Sequence, residues 1–196
     1  ILIKSRNLFN FYFLDKNKNN PQFLLAKDSK KQIIAILGYI TSHQFDSKIK
    51  IKSLWLALWI AKKQYSNMIG IVLLKKIESF LKPNFIASLG VGKQVLPIYK
   101  RFGYEVGNVD HFIKKIVLTK KINNNKYIIK KGLPLKFKNK NKNKTLNYLI
   151  NKYNNNFYNY HFYHVINGKT VMAVLVGRLI LYKKKYIFRI VDIIGN

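Results

Sequence analysis

Three features of the sequence predict a mixed α/β fold: a mixed central sheet flanked by helices, then a second, β-rich half. Short apolar runs separated by polar turns recur from Phe23 to Ile60. An amphipathic stretch, Ile69 to Leu81, follows them and leads into another short apolar run. After a Lys/Asn-rich interval, the strand-turn-strand pattern begins again at Tyr160. Strands alternating with helical periodicity argue for an α/β layer arrangement.

Phe23 to Ala26 and Ile33 to Thr41 flank a polar turn at Lys27 to Lys31, which is a hairpin pattern. Ser53 to Ile60 is apolar throughout, as expected for a central strand buried on both faces. Ile69, Leu73, Ile77 and Phe80 fall at helical spacing opposite Lys75, Lys76 and Glu78, and Pro83 ends that helix. Phe85 to Val91 reads as a short buried strand. Val95 to Phe102 reads as a short helix with Pro97 in its first turn and Gly103 past its end. Tyr104 to Val106 and His111 to Leu118 complete the first unit as strands, giving the order β-β-β-α-β-α-β-β.

Lys120 to Lys144 has the Lys/Asn composition of a linker or exposed loop. Beyond it, Leu146 to Tyr153 reads as a helix. Tyr160 to Ile166, Asn167-Gly168 and Thr170 to Leu181 form a second hairpin. Tyr186 to Ile194 is a further strand. Hairpin, basic loop and apolar strand repeat the order of the first unit, which suggests an internal repeat. The expected units are residues 1–119, a linker at 120–145, and the start of a truncated second domain at 146–196. The opening Ile1 and the uncapped final strand read as the ends of an internal fragment.

Composition narrows function. The 196 residues include no cysteine, which excludes disulfides, thiolate metal sites and cysteine nucleophiles. No run reaches the length of apolar residues that a membrane span requires. The net charge of +30 is compatible with nucleic-acid binding. Yet only Arg6, Arg101, Arg178 and Arg189 among the 37 basic residues are arginines, the residue that grips phosphates and base edges in pairs of bonds. Abundant lysine, asparagine and isoleucine fit AT-rich codon drift better than a dedicated nucleic-acid surface, so no specific nucleic acid is expected. His161 and His164 suggest a metal by spacing alone and lack a nearby third ligand, so no metal is expected.

Two local patterns carry a family resemblance. Tyr65-Ser66-Asn67-Met68-Ile69-Gly70 joins a strand to a helix, and Ile98-Tyr99-Lys100-Arg101-Phe102-Gly103-Tyr104 closes the later helix. From Phe23 to about Lys115 the chain resembles the GNAT (N-acetyltransferase) superfamily. The family's first turn usually has glutamine or arginine, two free positions, glycine, one free position, then glycine or alanine. Only Gly70 matches. The second pattern matches nearly throughout.

More loosely, Ile36-Leu37-Gly38-Tyr39-Ile40, Trp55-Leu56-Ala57-Leu58-Trp59 and Gly107-Asn108-Val109-Asp110-His111 resemble the tandem GNAT-like proteins of bacterial surface-polysaccharide gene sets. Pro97-Ile98-Tyr99 and the run Phe188 to Gly195 share in that likeness.

The resemblance implies an acyl-CoA cofactor, commonly acetyl-CoA, and an amine-bearing acceptor, in a cytoplasmic enzyme. A helix N-terminus attracts phosphate through unpaired N–H groups and its dipole. By resemblance, Ser66, Asn67, Met68, Ile69 and Gly70 hold the pyrophosphate, with Lys62 and Lys63 adding charge. Leu58, Trp59 and Ile60 offer backbone groups to the pantetheine arm, and Tyr99 protonates the departing thiolate. The bland alternatives are a packed helix tyrosine at Tyr99 and plain core packing for Trp55 and Trp59. His43, Asp46, Glu105, Asp110 and His111 are the candidate bases, none required if water takes the proton. A non-catalytic GNAT-like domain and a basic nucleic-acid module are the alternative functions.

Overall fold

The computed structural model describes residues 5–15, 20–65, 68–109, 126–137 and 144–195. Helix α1 (Arg6–Phe13) opens the chain, its first turn capped by the Ser5 hydroxyl, which accepts from the Leu8 N–H at 3.3 Å. Nothing in the sequence reading anticipated it. Its buried Leu8 and Phe13 lie among aromatic neighbours, with the Phe13 and Phe23 rings 4.8 Å apart. The short strands β1 (Leu14–Asp15) and β2 (Asn20–Pro21) form a small antiparallel ribbon.

The first main sheet consists of β3 (Phe23–Lys27), β4 (Ile33–Thr41), β5 (Ser53–Ala61) and β6 (Phe85–Ser88), in that spatial order. β3, β4 and β5 form an antiparallel meander, and β6 lies parallel to β5. A parallel neighbour requires a crossover, supplied here by α2 (Ile69–Leu81). Lys82 ends α2 in the left-handed conformation at φ 44°, and Pro83 follows. α3 (Leu96–Arg101) comes after β6.

β5 departs from the regular strand its sequence suggests. Gly38 pairs with Leu58 and Tyr39 with Leu56, leaving Ala57 as a bulge. A bulge shifts strand alternation by one. Leu54 and Leu56 therefore face the same core as Trp59 and Ala61, together with Leu37, Leu73, Leu74, Ile77 and Tyr99. Burial of a side chain such as Leu37, Leu74 or Ile77 contributes about 1.5–3 kcal/mol. β5 is consequently not buried on both faces: Ala57 and Ile60 are exposed, which corrects the expectation of a fully enclosed strand.

Tyr104–Val109 forms no strand, another correction. Gly103, at φ 78°, turns the chain, the Tyr104 N–H donates to the Tyr99 carbonyl at 3.1 Å, and the Tyr104 hydroxyl donates to Glu78. Those bonds draw Tyr104 onto α2 instead of into the sheet. The strand expected at 111–118 lies outside the described residues.

The second half holds β7 (Ile128–Lys131), α4 (Leu146–Tyr153), β8 (Tyr160–Asn167), β9 (Thr170–Tyr182) and β10 (Lys185–Gly195). β7 lies inside the segment read as a linker and pairs with β8, so that segment adds an edge strand to the second sheet. The turn between β8 and β9 is Gly168-Lys169, with Asn167 already paired to Thr170. Gly168 sits first in that two-residue turn at φ 57°, where glycine meets no steric penalty. β8, β9 and β10 repeat the antiparallel meander of β3, β4 and β5. Here too the third strand is bulged, at Val191, beside a glycine of the second strand, Gly177.

The halves share a core. Phe45 and Ile49, between β4 and β5, pack with Tyr148, Leu149, Tyr153, Val174, Val176 and Ile194. The Asn151 amide donates to the Phe45 carbonyl at 2.6 Å, and the Thr145 hydroxyl donates to Asp46. No helix among the described residues is long and apolar enough to cross a membrane.

Candidate active site

The parallel ladder between β5 and β6 stops at Leu56 and Ser88. β5 continues to Ala61, and no strand among the described residues pairs with that edge of it. The bulge at Ala57 falls just past the last paired residue. Leu58, Trp59 and Ile60 pair on their other side with Gly38, Leu37 and Ile36. The mixed sheet thus opens a gap bordered by backbone N–H and C=O groups.

Trp59 connects this gap to α2. A Cβ built on Gly70 would lie 2.5 Å from the indole Nε1, so the glycine is required for close approach. Gly70 is buried in the first turn of α2, one residue inside the helix that Met68 caps, and not in the loop before it. Ser66 and Asn67 lie outside the described residues. Met68 is 67% exposed and makes no side-chain capping bond, and the first turn contains no acidic residue. Ile69 and Gly70 follow directly, so the first N–H groups of α2 lack a side-chain acceptor from their cap.

Gly70→Ala should destabilise the fold by about 1–3 kcal/mol through overpacking against a wedged indole, outweighing alanine's gain in helix propensity. Chemical denaturation followed by tryptophan fluorescence measures this. An unchanged midpoint would show that Trp59 can move aside.

Tyr99 also borders the gap, near Trp59 and Ser88. Its ring meets Trp59 edge-on at 6.0 Å and Tyr104 at 5.2 Å, and the residue is 6% exposed. Burial raises the phenol pKa above its ordinary 10.0, and the Ser88 hydroxyl beside it pulls the other way. Ser88 in turn donates to the Leu56 carbonyl at 3.3 Å. The structure therefore brings together Tyr99, Ser88, the end of the parallel ladder, Trp59 and the first turn of α2. A phenol held protonated beside the opening is suited to donate a proton.

The candidate bases are scattered. Asp46 is buried and accepts from Thr145 and from the Lys48 N–H at 2.9 Å, which accounts for it as a loop-fixing residue. Glu105 is exposed, and His43 Nδ1 is buried without a hydrogen-bond partner. Asp110 and His111 lie outside the described residues. His161 and His164 are three apart on β8, so they project from opposite faces. His164 Nδ1 is 2.9 Å from the Gly132 carbonyl, a bond that anchors the chain leaving β7.

Beside the bulge lies a cleft of about 270 Å³. Leu56, Ala57 and Leu89, at the sheet opening, line it together with Trp55. Tyr148 and Lys152 of α4 also line it. Sequence reasoning missed Lys152, Tyr148 and Ser88. One lysine in so lysine-rich a chain carries no local signal, and only the docking of α4 over the Phe45 segment singles it out.

No family model matches the chain, and no curated protein matches its sequence. Among solved structures the chain is similar to a candidate acetyl transferase from Pyrococcus furiosus, at 17% identity and a TM-score of 0.38 over 48% of this chain. It is also similar to a candidate acetyltransferase from Deinococcus radiodurans, at 17% identity and a TM-score of 0.36 over 47% of this chain. The chain spans 64% and 60% of the length of these two proteins.

Proposed function

We propose that this chain is an acyl-CoA-dependent N-acyltransferase of the GNAT type, acting in the cytoplasm on an amine. The observation that carries the reading is the opening of the parallel pair β5 and β6 at Leu56 and Ser88, with a buried phenol and a helix N-terminus that has no side-chain cap both beside Trp59. Bound acyl-CoA supplies the thioester from which the acyl group is transferred. The N-terminus of α2 attracts the pyrophosphate. The open edge of β5 accepts the pantetheine arm as an added strand, and its N–H groups polarise the thioester carbonyl. Tyr99 gives its proton to the departing sulfur and regains one from solvent, while water removes the proton released by the attacking nitrogen.

The looser resemblance to surface-polysaccharide proteins extends the proposal to an amino-sugar acceptor. One observation favours the non-catalytic alternative: Gly70, the sole match in the phosphate turn, is committed to packing against Trp59. The nucleic-acid alternative has only the charge in its favour.

Turnover decides between them. The chain contains no cysteine, so a thiol-reactive dye reads released CoA without background. Amine-dependent release of CoA from acetyl-CoA is the expected result. A folded protein that releases no thiol across a panel of amino sugars and simple amines would contradict the proposal.

A further inference from the structure

The second half of the chain contributes a charged residue, Lys152, to the lining of the cleft beside Ala57. Lys152 Nζ donates to the Tyr148 hydroxyl at 2.8 Å and lies over the Tyr148 ring at 5.0 Å and the Tyr153 ring at 5.1 Å. The neighbouring Tyr153 ring favours the charged ammonium. Lys152 forms no ion pair among the described residues. The nearby carboxylate, Asp192, is already engaged by the Lys144 ammonium and by the Tyr153 hydroxyl at 2.9 Å. Asp192 is thus committed to other partners, which leaves a partly desolvated cation lining an otherwise largely apolar cleft. Burial lowers the Lys152 pKa, Asp192 opposes that, and Lys144 adds to it. A desolvated cation gains most from an anionic partner that enters with the ligand.

The cleft's lining combines apolar residues of the first sheet with one cation. Ala57 and Leu89 adjoin the sheet opening where acyl transfer is proposed, and Lys152 lines the same cavity. A volume of about 270 Å³ suits an acceptor of monosaccharide size.

We propose that Lys152 is a specificity residue and that the acceptor is a small amine carrying an anionic group, phosphate or carboxylate. That group docks on Lys152 and turns the amine toward Ala57. The proposal rests on the acyltransferase reading for the purpose of the cleft, and it is tested by binding alone. Trp55 lines the cleft, so its fluorescence reports occupancy.

The titration compares glucosamine, glucosamine 6-phosphate and muramic acid against the whole chain. The two anionic amines should bind at least about tenfold more tightly than glucosamine, the scale of one charge-assisted hydrogen bond. The better of the two identifies the anion. Lys152→Met keeps the length of the side chain and should abolish the preference. Lys30→Met removes an exposed lysine and should leave the preference intact, which controls for the overall positive charge.

Equal affinity for the three ligands in the wild type would overturn the proposal, whatever the variant does. So would a preference that survives in Lys152→Met. Acetyl-CoA binding is measured separately. Acyl transfer without anion preference sinks only the acceptor claim, and anion preference without acetyl-CoA binding sinks only the acyltransferase reading.

Discussion

Replacing Tyr99 by phenylalanine should lower turnover by about 10² to 10⁴, the usual worth of a positioned general acid, with acyl-CoA affinity nearly unchanged. The substitution keeps the ring that packs edge-on against Trp59 and Tyr104 and deletes only the hydroxyl near Ser88. A proton given to the leaving sulfur matters in the transition state, so kcat should fall and the dissociation constant should not. Stability should drop by only about 1 kcal/mol, the net worth of one hydrogen bond.

The pH dependence has a definite sign. Burial raises the Tyr99 pKa, so the phenol remains protonated through neutral and mildly alkaline solution, and the acid it supplies is lost only above 10.0. The stabilising effect of keeping it protonated follows the same window, complete below the unfolded value and lost as pH rises through the folded one. Steady-state kinetics with a thiol readout, at several pH values, check both statements. Full activity in Tyr99→Phe would make Tyr99 a packing residue.

Met68→Asp should make the protein more stable and a poorer ligand for CoA. Met68 occupies the N-cap of α2 with an exposed side chain and no capping bond. Aspartate there accepts from the first-turn N–H groups and faces the positive end of the helix dipole, a gain of about 0.5–2 kcal/mol. Those same N–H groups are the ones proposed to hold the pyrophosphate. Their occupation, together with the added negative charge, should weaken CoA binding by at least about tenfold. Met68→Asn caps without the charge and should fall between the two. Thermal unfolding and calorimetry supply the two readouts. A variant that gains stability while keeping full CoA affinity would move the phosphates away from α2.

Much of the fold was legible because periodicity reports burial directly. α2 ends where Pro83 and the spacing of Ile69, Leu73 and Ile77 put its limits, and α4 spans Leu146–Tyr153 as its pattern suggests. β5 was legible as a strand but not as a bulged one. An apolar run from Ser53 to Ile60 hides a phase shift, since either parity places a hydrophobic side chain inward. Tyr104 misled for a different reason: its bond to Glu78, across a large sequence separation, overrides a local strand preference. α1 went unread because its aromatic side chains gain their partners from Phe23 and the second half of the chain.

The candidate site divides in the same way. Tyr99 was visible through its motif, and the structure adds its neighbours Ser88 and Trp59. Gly70 was visible too, but its role in packing depends on an indole from another element. Lys152 had no signal at all. Its position follows from α4 docking over Phe45 through Asn151 and Thr145, long-range contacts that no local pattern encodes.

Acetyl-CoA binding to the whole chain is the most direct test of the central claim, that the open edge of β5 and the N-terminus of α2 form one cofactor site. Calorimetry should give a saturable, one-to-one binding curve for acetyl-CoA, weakened in Met68→Asp and retained in Tyr99→Phe. Absence of binding heat from well-folded wild type at millimolar acetyl-CoA, across temperatures that exclude a chance zero enthalpy, would contradict it.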